Sequence, residues 1–201
     1  MTIPSHQEAA MHRTRKRNRR LVAGLAIALL GAGAPIMARE PSVATGDLVP
    51  ARFEALALLP GGEGAAVALA VGAAGGRTPE RLVAIFIGPV EAAAIGRARD
   101  GNRPVRPQTH ELLVDLVVAA GLQARRLVID ELRGSVYLAT VEFQTAEGEV
   151  LWVDARPSDG LVLALRLGLA IQLGPSVLAS APDWDDIEPA AEPLPQTPVT
   201  L

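Results

Sequence analysis

Four polar side chains that could do chemistry lie within six residues of the chain: Asp154, Arg156, Ser158 and Asp159. An apolar, strand-like stretch precedes them, and the apolar run 161–168 that follows is typical of a buried helix. The backbone N–H groups at a helix start attract anions, and an arginine adds a fixed positive charge. We therefore expect any catalysis or anion binding to take place at this strand-to-helix turn.

The elements that would position these side chains can be read from the same stretch. Pro157 removes a backbone donor and fixes φ where the chain turns. Ser158 or Asp159 can accept hydrogen bonds from the free N–H groups of the first helical turn. Gly168 stands where a left-handed cap would end the helix.

A second copy of the pattern lies upstream, where the stretch 87–92 aligns with 155–160. Both contain a proline, one further residue, an acid and a small residue before an apolar helix. An internal duplication explains this match economically. Glu91 and Asp159 would then occupy equivalent positions at two helix starts.

Apolar alternation and Gly/Pro breaks predict the secondary structure along the chain. We expect helices over 90–98, over 110–120 with Thr109 as its N-cap, from Ser158 onward, and briefly after Pro175. We expect six strands, over 52–59, 65–71, 81–87, 125–131, 135–144 and 149–154, and a further short segment at 170–173 between the last two helices.

The N-terminal segment 1–38 has the pattern of an export signal, with a basic block before a short run of small apolar residues. Cleavage after export, an uncleaved membrane anchor through Leu21–Ala38 and a buried N-terminal helix all remain open. The protein is therefore expected to be exported to the periplasm or anchored in the inner membrane, with a cytoplasmic location as the alternative. The segment 39–50 is predicted to be a linker, and 182–201 a disordered, acidic, proline-rich tail.

The composition excludes several kinds of site. The chain has no cysteine, so disulfides, thiol catalysis and thiolate metal sites are absent. Past residue 38 the only histidine is His110, which excludes a two-histidine ribonuclease mechanism within one chain. The net charge is −3, although a basic block precedes residue 38, so the remainder is more acidic still. Strong non-specific binding to nucleic acid is therefore not expected.

The chain resembles the bifunctional nuclease domain family. The resemblance is carried by the motifs at 85–92, 106–113, 153–160 and 163–166, in family order, and it covers about 51–181. It implies an α+β fold of two duplicated β3α2 halves, which form one curved mixed sheet flanked by helices. It also implies self-association and a nuclease activity on DNA and RNA. The sequence departs from the family pattern at Gly160, where alanine is usual, and in its export-like leader.

Phosphodiester hydrolysis by this chain would use a divalent metal, Mg²⁺ or Mn²⁺, held by the carboxylates of Asp154 and Asp159. Glu91 from the other half would join them, and His110 could act as a base. The residues expected to hold the nucleic acid are Arg156 and Ser158 at the helix start, and Arg103 and Arg106 on the basic loop between two helices.

Structural explanations compete with each catalytic role. Glu91 and Asp159 would favour a helix start in any case, and Asp154 could form a structural ion pair with Arg156. Glu111 and Asp115 form a pair typical of a solvated helix face, and the basic loop is more typical of a solvated segment. The alternative function is a non-catalytic envelope or regulatory module that binds a partner or itself. Convergence of Asp154, Arg156, Asp159 and His110 on one open cleft would favour the enzyme.

Overall fold

The computed structural model describes residues 39–72 and 81–181. The predicted leader or anchor and the predicted acidic tail lie outside these residues, so both stay predictions. Within the described part of the chain, no helix is long and apolar enough to cross a membrane.

Seven strands form one mixed sheet, in the order β3-β2-β1-β7-β4-β5-β6. Each pair of neighbours is antiparallel except β4 and β7, which are parallel. The sheet confirms the predicted α+β class and every predicted strand. The strands are β1 (Val49–Leu58), β2 (Ala65–Val71), β3 (Arg81–Ile87), β4 (Gln123–Arg133), β5 (Val136–Gln144), β6 (Val150–Ala155) and β7 (Ala170–Leu173).

Four α-helices occur among the described residues: α1 (Pro89–Arg99), α2 (Thr109–Ala119), α3 (Pro157–Leu167) and α4 (Pro175–Ala179). The prediction that Thr109 is the N-cap of α2 is wrong. Gln108 is the extended residue before the helix, and its N–H donates to the Glu111 carboxylate at 3.1 Å. The glutamate thus closes the helix start from the third helical position, as in a capping box.

The helices α1 and α3 begin in the same way. Each has a proline at its first position and an acid at its third, Glu91 in α1 and Asp159 in α3. Proline suits this position because its missing N–H would have no partner in the helix. The second half of the chain nevertheless adds β7, and α4 has only five residues where α2 has eleven. The duplication of the two halves therefore stays a prediction.

The core lies between the sheet and the helices, and all four helices contribute buried residues to it. Along α3 the four residues from Leu161 to Ala164 are all buried, and they belong to one cluster with Leu127 and Ile129 of β4. A Cβ atom on Gly160 would lie 2.4 Å from Leu127 Cδ1. The glycine that departs from the family pattern therefore lets the start of α3 lie close to the sheet.

Candidate active site at two helix starts

The starts of α1 and α3 are joined by one arginine. Arg156, the residue just before α3, donates from Nη1 to Glu91 Oε1 at 3.0 Å. It also donates from Nε to Asp159 Oδ2 at 2.9 Å and from Nη2 to Asp159 Oδ1 at 3.2 Å. Glu91 and Asp159, which the alignment of 87–92 with 155–160 makes equivalent, therefore bind the same guanidinium group.

A third helix adds the histidine. His110, the second residue of α2, places Nε2 3.0 Å from Asp159 Oδ1. The side chains of His110 and Asp159 are 21% and 30% exposed, so substrate can reach both. We refer to Glu91, His110, Arg156 and Asp159 as the helix-mouth cluster.

At neutral pH the cluster holds an ionised acid beside a cation. Burial acts to raise the pKa of Asp159, but the hydrogen bonds and charges of Arg156 and His110 outweigh it, and the pKa is lowered. The pKa of Arg156 is raised, chiefly by its hydrogen bonds to Asp159. Asp159 is thus an ionised acceptor that can orient the imidazole ring, and Arg156 is a fixed cation. Such a set can move a proton and stabilise a developing negative charge.

Asp154 does not join this cluster. Its Oδ1 accepts a hydrogen bond from Arg39 Nε at 3.0 Å. The predicted structural ion pair between Asp154 and Arg156 is wrong, because each residue has other partners. The two predicted metal ligands, Asp154 and Asp159, likewise lie in separate ion networks. Among the described residues, no group of three or more His, Asp or Glu side chains is arranged to hold a metal ion.

The network that includes Asp154 was not predicted from sequence. Arg39 donates to both carboxylate oxygens of Asp130, one of them at 3.0 Å. The N–H and hydroxyl of Ser42 donate to Asp130 Oδ2 at 2.7 and 2.8 Å. The side chain of Asp130 is fully buried. We refer to Arg39, Ser42, Asp130 and Asp154 as the anchor cluster, because it fixes the segment predicted to be a linker onto the sheet.

The environment of Asp130 lowers its pKa. Burial is the largest influence and acts to raise the pKa, but the hydrogen bonds from Arg39 and Ser42 together outweigh it. A signal for this residue exists in the sequence, since Asp130 directly follows the apolar stretch Leu127-Val128-Ile129 in a buried strand. A buried acid must find a partner, although nothing local indicates which one.

The other residues predicted to hold nucleic acid do not belong to the helix-mouth cluster. Ser158 is buried, with 6% of its surface exposed, which leaves little of it for a substrate. Arg103 forms an ion pair with Asp115, and Arg106 is exposed on the same loop.

The prediction that Glu111 belongs to a solvated helix face is wrong. Glu111 is buried and accepts a hydrogen bond from Arg166 at 2.7 Å. Burial acts to raise its pKa, but backbone N–H groups and Arg166 lower it overall. Asp115, one turn further along α2, is the exposed member of the pair.

The fold and the cluster define an α+β domain with polar groups gathered at two helix starts. The profile of the bifunctional nuclease domain matches residues 75–183, more than half of the chain, so the protein belongs to the bifunctional nuclease domain family. Two curated relatives, from two strains of Mycobacterium tuberculosis, are each 38% identical over 113 residues. Both are described as uncharacterized proteins. The match covers 54% of this chain and 66% of each relative.

Proposed function

We propose that this protein hydrolyses phosphodiester bonds in DNA and RNA, and that the helix-mouth cluster is its active site. The observation that carries the proposal is the convergence of Glu91, His110, Arg156 and Asp159 from three separate helices. Membership of a nuclease family supports the same reaction. A histidine oriented by an acid can transfer a proton, and an arginine can stabilise the negative charge that develops at a phosphate.

Arg156 would bind the phosphate. A guanidinium group has five N–H donors, and three of them are engaged with Glu91 and Asp159. Two donors remain for the non-bridging oxygens of the substrate. The side chain of Arg156 is 64% exposed, so a strand can approach it from solvent. The positive charge would stabilise the additional negative charge that develops on the phosphoryl group in the transition state.

His110 would accept the proton of the attacking water and could donate it to the leaving oxygen. Its Nε2 engages Asp159, which leaves Nδ1 as the ring atom that exchanges a proton with substrate or water. A water oxygen attacks phosphorus while its proton passes to Nδ1, and the bond from phosphorus to the leaving oxygen breaks. The leaving oxygen then takes a proton from the histidine or from solvent. Asp159 stabilises the imidazolium ion that exists between the two transfers.

A divalent cation, Mg²⁺ or Mn²⁺, is the cofactor suggested by the sequence, with Asp154 and Asp159 as its ligands. The described residues do not fit a divalent cation, because both of these carboxylates already have other partners. Asp154 binds Arg39, while Asp159 binds both Arg156 and His110. The mechanism proposed above uses only side chains of this chain, and the assay below tests the metal requirement separately.

The test is cleavage of plasmid DNA and single-stranded RNA by the purified full chain, with Mg²⁺, with Mn²⁺ and with a chelator. Asp159→Asn removes the charge that orients His110, and we expect the rate to fall at least ~100-fold, as when other positioned groups are lost. Asp100→Asn is the matched control, since Asp100 is an exposed acid paired with Arg99 outside the cluster. Both variants should melt within a few degrees of the wild type, because exposed ion pairs stabilise weakly.

Cleavage by Asp159→Asn at the wild-type rate would exclude the helix-mouth cluster as the active site. Absence of cleavage by the wild type under all three conditions would favour the second candidate function, a module that binds a protein partner or another copy of itself. One observation supports that candidate. The helix α2 exposes a group of large apolar side chains, namely Leu112, Leu113, Leu116 and Val118.

We also propose that the protein acts outside the cytoplasm, because segment 1–38 has the pattern of an export signal or membrane anchor. Cell fractionation of a C-terminally tagged chain tests this. Recovery in the periplasm or the inner membrane would support the proposal, and recovery in the cytoplasm would contradict it. N-terminal sequencing of the recovered protein would identify a cleavage site.

A further inference from the structure

The first turn of α2, which carries His110, is held by arginines of two other helices. Arg97 of α1 donates from Nη2 to Gln108 Oε1 at 2.6 Å, and Gln108 is the residue just before α2. Arg166 of α3 donates from Nη2 to Glu111 Oε1 at 2.7 Å. His110 lies between Gln108 and Glu111 in the chain, so the two contacts hold the turn that presents its imidazole ring.

The pair of Glu111 and Arg166 joins the same two helices as the pair of His110 and Asp159. Arg166 follows Asp159 by seven residues, close to two turns, so the two lie on one face of α3 about 10 Å apart. His110 and Glu111 are neighbours in α2, and their side chains point about 100° apart around its axis. A rotation of α2 about its axis that kept one pair would therefore break the other. The two pairs together fix the orientation of the first turn of α2.

Both carboxylate oxygens of Glu111 accept a hydrogen bond. Oε2 accepts from the N–H of Gln108 at 3.1 Å, which closes the start of α2, and Oε1 accepts from Arg166. The side chains of Glu111 and Arg166 are only 5% and 11% exposed. A capping glutamate does not need a buried position or a partner in another helix, because the motif involves only residues of its own helix start. The buried arginine therefore makes a connection that helix formation alone does not explain.

We propose that Glu111, Arg166 and Arg97 are positioning residues, which hold the first turn of α2 so that His110 Nε2 stays on Asp159. Asp159 is ionised and can only accept, so Nε2 carries the hydrogen of this bond and Nδ1 is left for substrate or water. The three residues act through α2 and not on the substrate. This role rests on the proposed function of His110 as the base, although its contact with Asp159 can be measured without any substrate.

The test measures how fast the Nε2–H proton of His110 exchanges with water, by ¹⁵N-edited NMR of the full chain at neutral pH. The hydrogen bond to Asp159 should slow this exchange, because a bonded proton leaves only when the bond opens. The chain has three histidines, so His110→Gln identifies the signal of His110 by its absence. We expect a protected signal in the wild type.

Two variants release the first turn of α2. Glu111→Gln keeps the size of the side chain but leaves one acceptor oxygen for two donors. It should speed the exchange of the His110 proton at least about tenfold, the factor expected when a hydrogen bond to a charged group is lost. Arg97→Gln removes the contact with Gln108 and should speed the exchange about threefold or more.

Each variant has a matched control on its own helix. Asp115→Asn removes an exposed acid of α2 that pairs with Arg103, and Arg99→Gln removes an exposed arginine of α1 that pairs with Asp100. Neither control should change the exchange of the His110 proton. All four variants are also melted, so that loss of the fold is distinguished from release of the histidine.

A purely structural role of Glu111 would lower the melting temperature and leave the exchange in the folded variant unchanged. Unchanged exchange in folded Glu111→Gln and Arg97→Gln would overturn the proposal, as would a wild type without a protected signal. If Glu111→Gln does not fold, Arg97→Gln decides the question, because its contact is exposed.

Strand cleavage separates this proposal from the proposed function. Both variants should lower kcat and leave KM unchanged, because Arg156 would still bind the phosphate. If the wild type does not cleave, the proposed function fails, and the exchange of the His110 proton still decides whether these residues position the ring. If the wild type cleaves and neither variant changes the exchange, the proposed function stands and the positioning role is excluded.

Discussion

Two arginines in this protein each bind two carboxylates, yet their surroundings are opposite. Arg39 joins Asp130 and Asp154, and Arg156 joins Glu91 and Asp159. In the anchor cluster, Asp130 is fully buried and Arg39 is 24% exposed. In the helix-mouth cluster, Arg156 is 64% exposed and its acids are 22% and 30% exposed. Guanidinium and carboxylate groups thus pair in the interior in the anchor cluster and at the surface in the helix-mouth cluster.

The degree of burial determines how strongly each cluster contributes to the stability of the fold. Removing one partner from a buried pair leaves a charge or a donor without compensation, which is strongly destabilising. Exposed pairs contribute about 0–1 kcal/mol, because water and ions replace the lost contact. The anchor cluster is therefore expected to hold the N-terminal segment on the sheet. The four ionisable groups of the helix-mouth cluster are not explained by stability, and this supports a role in chemistry.

The largest expected effect is on stability, from Asp130→Ala. Arg39 and Ser42 would lose their shared acceptor, and the segment that begins at Arg39 would detach from β4. We expect the free energy of unfolding to fall by ~3 kcal/mol, at the low end for a broken buried pair because Arg39 can still reach water. Urea denaturation measures the loss.

Asp154→Asn is the matched control for this experiment, since Asp154 binds the same arginine but its side chain is 40% exposed. We expect a loss below ~1 kcal/mol. Equal losses in the two variants would mean that burial does not distinguish the two acids, and the contrast between the clusters would lose its basis.

The next effect is on activity, from Arg156→Gln. Glutamine keeps a hydrogen-bonding side chain but removes the charge that would stabilise the phosphoryl group. We expect the rate of strand cleavage to fall ~100-fold, within the range seen when one transition-state donor is removed. The free energy of unfolding should change by less than ~1 kcal/mol.

Arg133→Gln provides the comparison for Arg156→Gln, since Arg133 is 72% exposed and forms an ion pair with Glu131 on the sheet, outside the helix-mouth cluster. It should cleave at the wild-type rate. An equal loss of activity in both variants would indicate a general effect of removing arginine charge. A large loss of stability in Arg156→Gln would place this residue with the anchor cluster instead.

The sequence predicted local structure well and distant partners poorly. The strand predicted over 81–87 is β3, and the helix predicted over 90–98 is α1 with one residue added at each end. These elements are encoded by periodicity and by Gly or Pro at their ends, which are local signals. The alignment of 87–92 with 155–160 related Glu91 to Asp159, and both acids bind Arg156, although the duplication itself stays a prediction.

The anchor cluster could not be predicted in the same way. Arg39 and Asp130 are 91 residues apart, and Asp154 lies 115 residues from Arg39. No periodicity connects them, since their contact depends on how the segment before β1 lies on the sheet. The pairing of Glu111 with Arg166 could not be predicted for the same reason. Taken alone, each residue has the pattern of an ordinary surface charge on a helix.

A smaller effect is the dependence of stability on pH. The folded-state pKa of Asp130 is lowered, so the unfolded chain, in which an aspartate has a pKa of about 3.9, takes up protons more readily. The stabilisation by Asp130 is fully present above that pKa and is lost as the pH falls through the lower folded value. Urea denaturation from pH 7 down to pH 3 should show stability falling at the acid end.

Two variants show how much of this loss of stability at low pH comes from each cluster. Asp130→Asn should flatten the profile more than Asp159→Asn, although the pKa of Asp159 is also lowered. The reason is that Asp130 is fully buried, whereas Asp159 is partly screened by solvent. An equal flattening by the two variants would contradict the difference in burial that separates the clusters.

The smallest effect is expected from Gly160→Ala, which changes how α3 lies against the sheet and hence where Asp159 is held. The added Cβ would lie 2.4 Å from Leu127 Cδ1, and Leu127 is fully buried. Overpacking costs ~1–3 kcal/mol, and alanine returns up to ~1 kcal/mol of helix propensity, so we expect a net loss of ~1 kcal/mol in the free energy of unfolding. Leu127→Val, which removes one methylene, should partly rescue Gly160→Ala although it destabilises the wild type. Strictly additive effects in this double-mutant cycle would show that the contact does not position α3.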